Sequence, residues 1–523
     1  VAFGGFAPEL SSAVIDKYGN EIWNTGEEGS FDFIINHINE FGNIYGLSAY
    51  DYPNNTGTKV NYELDFLWSA PATSQADAID IHEMKQIPNG NYMAFVPDLR
   101  LGPIPQGDWT FIYQSIGYIA DGVTDEYPWI GMRIVEWDED GNQVWNWDPF
   151  EHFTMDDYDA YGGIWWDFNA GAHDWMHSNA FHFDEEESVI YVSHRHLSRI
   201  SKIAYPSGEV IWNIGMPEQY NTGSDNICTD LGNSFQHNIQ LLNDGSLLFF
   251  DNGNLSEMLM GDSNPTSRVR RIRVIDNSYC ETEWEYELPP NLYGLGMGSV
   301  QLLDNGNYLL YTFGNGLNQG QPTLREVTPN HEVVWNYQGA SNAAWYRTYK
   351  IPSLHPDAFS VVAGGYTLYE GESTIELSGN SLDFTIINKS GYSLPYKYMF
   401  SDLMDGGDQL FIYDEGVVDI EPYGSYDLSF SINDGASITS TQIMLSIWPI
   451  HHDYALKELV FPVKLVSSLS GDVNSDGLVN ILDVVLLVNM VLSNEYNPSG
   501  DLNSDGTINI LDVVVLVGLI LDA

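Results

Sequence analysis

The stretch HNIQLLNDGSLLFFDNGN, residues 237–254, carries the pattern that decides the fold. Two short apolar runs flank an Asn-Asp-Gly turn, which is typical of a tight β-hairpin. The same pattern recurs as IPNGNYMAF at residues 87–95 and as LDNGNYLLY at residues 303–311. Strand-like runs between the hairpins end in tryptophan, at Trp23, Trp68, Trp145, Trp212, Trp284 and Trp335. Repeated units of this length without helical periodicity predict an all-β, six-bladed β-propeller over residues 1–350, with the tryptophans packed between blades.

The tryptophan repeat stops after residue 350. Residues 351–466 instead contain short alternating runs, such as LDFTIIN at 382–388 and QIMLSIW at 442–448. This alternation predicts an Ig-like β-sandwich. The short SSLS linker at residues 467–470 then opens the last segment, residues 467–523, which we expect to be a small α-helical calcium-binding module.

The last segment contains one twelve-residue loop twice, as DVNSDGLVNILD at 472–483 and DLNSDGTINILD at 501–512. Oxygen side chains stand at loop positions 1, 3, 5, 9 and 12, and glycine stands at position 6. This EF-hand spacing surrounds Ca²⁺ with hard oxygen ligands, including the backbone carbonyl of position 7. The predicted Ca²⁺ ligands are Asp472, Asn474, Asp476, Leu478, Asn480 and Asp483 in the first loop, and Asp501, Asn503, Asp505, Thr507, Asn509 and Asp512 in the second.

Both loops end in Asp rather than Glu, and no strong helix precedes either loop. In these features the segment resembles a type I dockerin. The resemblance implies two Ca²⁺ sites, an extracellular location and a cohesin-like protein partner. The segments after the loops, ILDVVLLVNMVL and ILDVVVLVGLIL, are apolar nearly all round, so association with neighbouring copies of the chain is a second interpretation.

The net charge of −54, with only 19 Lys and Arg residues, excludes nucleic acid and anionic lipid as partners. The sequence contains no uninterrupted apolar stretch of the roughly 18 residues that a membrane span requires. The chain opens at VAFGGFAPEL without Met, so we expect a secreted or cell-surface protein whose signal peptide has been removed. Cys228 and Cys280 either pair in an oxidising compartment or remain two free thiols.

Three histidines lie eight residues before the turn of a predicted hairpin, namely His82, His177 and His237. If that strand is the innermost of its blade, the three imidazoles converge on the central channel. Hairpin symmetry places Arg195 opposite His177 and, less strongly, Arg100 opposite His82. Three histidines alone could bind Zn²⁺ or Cu²⁺, but a neighbouring arginine repels a cation. The set therefore fits a sulfate or phosphate anion, with histidine as nucleophile or general acid.

Four segments resemble the arylsulfotransferase family: DWMHSN at 174–179, SHRH at 193–196, QHN at 236–238 and LLFFDNGN at 247–254. The resemblance implies a six-bladed propeller that needs no organic cofactor. It implies transfer of a sulfuryl group from an aryl sulfate to a phenolic acceptor through a sulfohistidine at His237. His82, His177 and Arg195 would then neutralise the anion, with Asn179 and Arg100 as further substrate-binding residues.

A second interpretation makes the chain a structural subunit of an extracellular assembly or filament, with a secondary or inactive propeller site. We expect structural or rim positions for four further histidines, His173, His182, His194 and His196. The SRVRRIR run at residues 267–273 favours ion pairing with the acidic surface over substrate binding.

Overall fold

The computed structural model describes the chain except for residues 8–9, 27–31, 49–55, 72–78, 81, 158–160, 162–170, 221–224, 315–319, 365, 370–371, 378, 405–407, 434, 466–469, 475–477 and 523. The chain divides into two compact units, residues 1–354 and residues 355–523. The fold is mostly β, as the sequence predicts. No helix among the described residues is long and apolar enough to cross a membrane.

The first unit forms six sheets of four or five strands, which we call blades 1 to 6 in chain order. Blade 1 contains β1 (Ala2–Ala7), β2 (Ser11–Ile15) and β3 (Glu21–Asn24), and blade 2 contains β4 (Phe33–Ile38), β5 (Ile44–Ser48), β6 (Thr56–Val60) and β7 (Phe66–Ser69). Blade 3 contains β8 (Met84–Gln86), β9 (Tyr92–Pro103), β10 (Asp125–Trp137), β11 (Gln143–Trp147) and β12 (His173–Asp174). Blade 4 contains β13 (Ser178–Asp184), β14 (Val189–His194), β15 (Arg199–Ala204), β16 (Val210–Ile214) and β17 (Asn226–Ile227). Blade 5 contains β18 (His237–Leu241), β19 (Leu247–Asp251), β20 (Arg268–Ile275) and β21 (Tyr279–Glu287), and blade 6 contains β22 (Ser299–Leu302), β23 (Tyr308–Phe313), β24 (Pro322–Val327) and β25 (Val333–Gln338).

The last strand of this unit returns to the first blade. Strand β26 (Ala344–Tyr349) pairs antiparallel with β1, in a register that joins Ala2 to Tyr349 and Phe3 to Thr348. Blade 1 therefore combines the two ends of the unit, which closes the set of blades without an exposed inner edge.

The structure confirms the predicted packing of the tryptophans between blades. Each of the six indoles lies on the fourth strand of its blade and donates a hydrogen bond of 2.8 to 3.0 Å to the turn between the third and fourth strands of the next blade. The acceptors are Tyr62 O, Glu139 O, Pro206 O, Asn277 Oδ1, Pro329 O and Lys17 O. Because Trp335 of blade 6 donates to Lys17 O of blade 1, the six hydrogen bonds together link every blade to the next in a closed ring.

Two further sequence questions are settled in blades 4 and 5. Cys228 and Cys280 form a disulfide, so they are not free thiols. The arginines of the SRVRRIR run lie on or at the start of β20, and each forms ion pairs with aspartate or glutamate, as we expected; they are Arg268, Arg270, Arg271 and Arg273.

The second unit begins with two β-sheets. Their strands are β27 (Phe359–Ala363), β28 (Tyr366–Tyr369), β29 (Glu372–Leu377), β30 (Ser381–Asn388), β31 (Leu394–Asp402), β32 (Asp414–Ile420), β33 (Ser425–Ser431), β34 (Ser440–Pro449) and β35 (Lys457–Leu465). One sheet has the order β27-β30-β33 and the other β28-β29-β35-β34-β31-β32. Phe430 of the first sheet stacks on Phe400 of the second with ring centroids 3.8 Å apart, so the two sheets share one core.

Helices are few. The α-helices are α1 (Thr110–Ser115), α2 (Ser256–Leu259), α3 (Ile481–Ser493) and α4 (Ile510–Asp522), and the 3₁₀ segments are Pro149–Glu151, Met155–Asp157, Glu218–Tyr220, Pro290–Leu292, Asp453–Ala455 and Pro498–Gly500. Helices α3 and α4 follow the two predicted calcium loops and pack together around Leu487 and Leu516, which are both fully buried.

Candidate active site

His82 and His177 lie together where the inner strands of blades 3 and 4 begin. Their ring centroids are 4.6 Å apart in an edge-to-face arrangement. The ring of His177 lies at the same distance from that of His196, and His82 contacts the buried ring of Tyr346 at 5.4 Å. The structure therefore brings two predicted site residues together and adds two aromatic neighbours.

Each of these two histidines has a carboxylate behind it. His82 Nδ1 is hydrogen-bonded to Asp80, and His177 Nδ1 to Asp174. A carboxylate on Nδ1 fixes the orientation of the ring and places the ring proton on Nδ1. His82 and His177 thus have the partners that suit proton transfer through Nε2.

His237 is the first residue of β18 and has a different partner. Its Nδ1 lies 2.6 Å from Asn252 Oδ1 and 3.0 Å from Phe235 O. Both are acceptors, so Nδ1 carries the proton and Nε2 keeps its lone pair. An unprotonated imidazole nitrogen is the form that acts as a nucleophile.

Arg195 lies across the hairpin from His177, as hairpin symmetry predicts. Its backbone N–H donates to His177 O at 3.1 Å. The guanidinium stacks over the ring of Phe235 at 4.9 Å, donates to Leu295 O at 3.2 Å and contacts His196 Nε2. Burial lowers the pKa of Arg195 to about 10, which leaves it a cation at neutral pH.

The electrostatics join His237 to the other three residues. Burial, followed by the charge of Arg195 and by smaller contributions from His177 and His82, holds the pKa of His237 well below the usual 6.5, although the hydrogen bond that Nδ1 donates to Asn252 raises it. Burial, His82 and Arg195 lower the pKa of His177 in the same way. A cation beside the neutral imidazole of His237 makes a site that attracts an anion and leaves the nucleophile free.

The sequence pattern placed His82, His177 and His237 at the same position of their hairpins, and the structure does so for two of them. His82 and His237 lie four residues before the strand residue that closes their hairpin, which is Gln86 or Leu241. His177 lies seven residues before its closing residue Asp184, because Glu185 is the first residue of its turn whereas Gly90 and Gly245 are the fourth residues of theirs. His177 reaches the cluster from just before β13 rather than from the position that His82 and His237 share.

Four residues at or next to the cluster have a left-handed backbone conformation. The φ angles of His177, Phe235, Asn238 and Met297 are 49°, 58°, 59° and 57°. Residues other than glycine rarely adopt this left-handed region, which costs on the order of 1 kcal/mol or more and is typical of functional sites.

A buried ion network lies beside the cluster. Glu83 accepts from Lys85 at 2.7 Å and from Arg347 at 3.1 Å, and all three groups are largely or fully buried. Burial opposes ionisation of Glu83, but the two cations outweigh it and lower its pKa. Arg347 also donates to Asn179 O at 3.0 Å, so this network ties the inner strands of four different blades and supports the histidines above it.

The two remaining substrate-binding predictions have other contacts. Asn179 is fully buried, and its side-chain N–H donates to Gln236 O at 2.9 Å, next to His237. Arg100 pairs with Asp98 and Asp148 and lies over the ring of Phe150. The contacts of Arg100 are thus with acidic and aromatic side chains rather than with the histidines, and its role stays a prediction.

One group near the cluster has metal-like spacing. The ligand atoms of Asp174, His177 and His196 lie within 4.8 Å of one another. Arg195 contacts His196 Nε2, however, and its guanidinium charge opposes a cation there. The surroundings therefore favour an anion in the site.

Several contributing residues were not found from the sequence. Asn252 lies in the LLFFDNGN segment, and Asp80 and Asp174 lie two and three residues before their histidines, so a search for short His-carboxylate spacings could have found the aspartates. His196, which we expected at the rim or in a structural position, is buried and donates from Nδ1 to Asp174 O at 2.6 Å. It is thereby a structural support of Arg195.

The calcium loops of the second unit are closed by their last residue. Asp483 and Asp512 are fully buried, and each accepts backbone N–H groups from the start of its own loop and from position 9. In the second loop, Asp501 accepts the N–H groups of Asp505 and Gly506 at 3.1 and 2.9 Å, which folds the loop around its first carboxylate. This oxygen-only donor set fits Ca²⁺. Among the twelve predicted ligands, Asp476 lies outside the described residues.

The helices after these loops expose apolar side chains, as their sequence pattern predicts. Those at least half exposed are Ile481, Leu482, Val485, Leu492, Ile510, Leu511, Val514 and Leu521. The first two residues of each helix are among them, so both repeats expose an apolar pair at the same place.

Comparisons with solved structures give distant similarities. A Bacteroides caccae protein of unknown function is 11% identical over 64% of this chain and 93% of its own, with a TM-score of 0.37. Hydrazine synthase of Kuenenia stuttgartiensis is 10% identical over 62% of this chain and 72% of its own, with a TM-score of 0.23. The PapD-like domain 7 of human CEP192 is 13% identical over 23% of this chain and 89% of its own, with a TM-score of 0.14. No curated protein matches the chain.

Family models give a closer result. The model described as Dockerin type I domain matches residues 470–521. The model described as Arylsulfotransferase (ASST) matches residues 11–349, which is well over half of the chain and includes the whole histidine cluster. The chain therefore belongs to the arylsulfotransferase family and carries a C-terminal type I dockerin.

Proposed function

We propose that this protein is a secreted arylsulfotransferase that moves a sulfuryl group from an aryl sulfate to a phenolic acceptor and is tethered through its dockerin. In this proposal residues 1–350 are a six-bladed β-propeller, residues 351–466 an Ig-like sandwich and residues 467–523 the tether. The observation that carries the activity is the convergence of His82, His177, Arg195 and an Nε2-unprotonated His237.

In the first half-reaction, His237 Nε2 attacks the sulfur of the aryl sulfate. The new N–S bond forms as the bond between sulfur and the phenolic oxygen breaks, and the electron pair leaves with the phenolate. Arg195 stabilises the negative oxygens around sulfur, as a preorganised cation does in a site shielded from water. His237 keeps its Nδ1 proton throughout.

In the second half-reaction, a phenolic oxygen attacks the same sulfur. The N–S bond breaks, and its electron pair returns to Nε2, so His237 is restored as neutral imidazole. The acceptor loses its proton to an aspartate-backed histidine, His82 or His177, and the same proton can protonate the next departing phenolate. A bound sulfate anion promotes this exchange because opposite charge raises the pKa of a neighbouring histidine.

The C-terminal module determines where the protein is held and takes no part in the sulfuryl transfer. Two Ca²⁺ ions, held by the two loops, would order α3 and α4 for binding to a cohesin-like partner. The exposed apolar residues at the start of both helices support this role. Copies of the chain itself are the alternative partner.

The activity test compares variants in transfer from 4-nitrophenyl sulfate to phenol. We expect His237→Gln to abolish transfer, whereas His152→Ala, which alters an exposed histidine stacked on Trp147, should leave it unchanged. If the wild-type chain gives neither turnover nor a labelled histidine with a series of aryl sulfates, the enzyme proposal fails. An assembly subunit with an inactive site would then be the better description.

A further inference from the structure

The three histidines of the site differ in the residue that holds Nδ1. Asp80 and Asp174 are carboxylates, and they hold His82 and His177. Asn252 is a neutral amide, and it holds His237 at 2.6 Å. The residue types alone therefore separate the nucleophile of the proposed reaction from the two proton-transfer histidines.

The side-chain amide of Asn252 cannot flip, that is, Oδ1 and Nδ2 cannot exchange places. Its Nδ2 donates to Gly294 O and to Met297 O, both at 2.8 Å, so its two N–H groups are used by the loop that precedes β22. A reversed amide would place Oδ1 against two carbonyl oxygens and Nδ2 against a protonated nitrogen. Since Asn252 is fully buried, such a loss of two hydrogen bonds would not be repaired by water. Oδ1 must face His237.

We propose that Asn252 is a positioning residue with two effects on His237: it locks the Nδ1–H tautomer, and its lack of charge keeps the sulfohistidine reactive. The fixed Nδ1–H tautomer of His237 is a property of the protein without substrate. The second effect rests on the proposed sulfuryl transfer.

The second effect follows from the charge of the intermediate. Sulfation at Nε2, with the proton still on Nδ1, gives the imidazole ring a positive charge. Cleavage of the N–S bond removes that charge. A carboxylate on Nδ1 would form a charge-assisted hydrogen bond, roughly twice as strong as a neutral one, and would stabilise the intermediate against transfer. An amide holds the ring in place without this penalty.

The charged and titratable groups that face His237 are Arg195, His177 and His82. Asn252 approaches from the opposite ring edge, at Nδ1, and brings no charge. Replacing it with aspartate would add a carboxylate at 2.6 Å from Nδ1 and favour the protonated ring. The nucleophile would then become protonated at a higher pH than in the wild type.

The test uses Asn252→Asp with Asn254→Ala as its control, because Leu295 O also accepts from Arg195 and a carboxylate at position 254 would act on that arginine. Asn254 donates to Leu295 O at 3.0 Å, in the same loop that receives Asn252, so its replacement disturbs that loop from a different anchor. We expect Asn252→Asp to shift the acidic limb of the pH–rate profile of the first half-reaction upward by about one to two pH units. The lifetime of the sulfohistidine should increase about tenfold or more. Asn254→Ala should change neither quantity.

A second measurement reads the tautomer without any turnover. In the full chain labelled with [¹⁵N]histidine, His237 is identified by loss of its signals in His237→Gln. We expect a protonated Nδ1 and an unprotonated Nε2 at neutral pH. In Asn252→Leu, where Phe235 O is the remaining acceptor of Nδ1, the fraction of that tautomer should fall. The proposal is overturned if His237 of the wild type carries its proton on Nε2. It is also overturned if Asn252→Asp changes neither the acidic limb of the pH–rate profile nor the lifetime of the sulfohistidine. A protonated Nδ1 in a chain that transfers no sulfuryl group would support the lock and reject the proposed function.

Discussion

Asp174 contacts two histidines of the site through different atoms. Its side chain bonds His177, and its backbone carbonyl accepts from His196 at 2.6 Å. Replacement of the carboxylate by an amide therefore changes the partner of His177 and keeps the backbone contact that supports His196 and, through it, Arg195. This separation allows proton transfer to be tested apart from anion binding.

We expect Asp174→Asn to slow transfer from phenyl sulfate by about 10²- to 10⁴-fold, the usual contribution of a general acid. Transfer from 4-nitrophenyl sulfate should fall much less, because its phenolate leaves without a proton. The measurement is kcat/KM for a series of aryl sulfates of graded leaving-group pKa. An equal loss for every donor would mean that Asp174 only supports the structure.

Part of the site could be predicted from the sequence residue by residue. His82, His237 and the pairing of His177 with Arg195 follow from hairpin positions, which are local patterns. Asn252 could not be assigned a role from the sequence, because its two hydrogen bonds go to a loop about 40 residues later. The strand position of His177 differs from that of the other two histidines, because the alignment matched the first residue of its turn, Glu185, with the fourth residue of the other turns.

Among the structural elements, β1 shows how closely neighbouring blades approach. A Cβ added at Gly4 would lie 2.4 Å from Ile35 O of β4, whereas one at Gly5 would meet its nearest atom, Ser11 O, at 3.5 Å. Both glycines lie on the strand that β26 joins. The blade 1 to blade 2 contact therefore depends on a glycine at one position and tolerates a side chain at the next.

We predict that Gly4→Ala lowers the free energy of unfolding by about 1–3 kcal/mol, the usual range for overpacking of a buried contact. Gly5→Ala should change it by less than about 0.5 kcal/mol. Thermal and denaturant unfolding of the full chain measures both. Equal effects of the two substitutions would contradict the close contact between β1 and β4.

Removal of calcium should act on α3 and α4 alone. Residues 467–523 contain no tryptophan, so far-ultraviolet circular dichroism can follow the helices while tryptophan fluorescence follows the rest of the chain. We expect a chelator to reduce the helical signal and leave the fluorescence unchanged, because the loops hold the carboxylates of Asp483 and Asp512 at the start of the helices. Added Ca²⁺ should restore the helical signal. A helical signal that is insensitive to chelator would exclude calcium-dependent folding of the module.

The elements were more predictable than the site. The tryptophan on the fourth strand is a local signal that recurs in every blade, and the Asn-Gly and Asp-Gly turns mark hairpins of blades 3, 5 and 6. The return of β26 to β1 depends on pairing between the two ends of a 350-residue unit, and no local pattern predicts that partner.

For the whole molecule, the net charge of −54 opposes the proposed anionic donor. Arg195 attracts the sulfate only at short range, because salt screens charges beyond about 8–10 Å. We therefore expect kcat/KM for aryl sulfates to rise with ionic strength between about 10 and 200 mM salt, with little change for an uncharged phenolic acceptor. A fall in kcat/KM with salt would instead mean that the mouth of the site steers anions inward.

The most direct test of the account is where the sulfuryl group is held during transfer. The full chain is incubated with 4-nitrophenyl sulfate in the absence of acceptor, and the bound group is located by mass spectrometry of its peptides at neutral to alkaline pH. The account predicts one sulfuryl group on His237, lost when phenol is added and absent from His237→Gln. Turnover without an adduct on His237, or an adduct on another residue that phenol discharges, would contradict it.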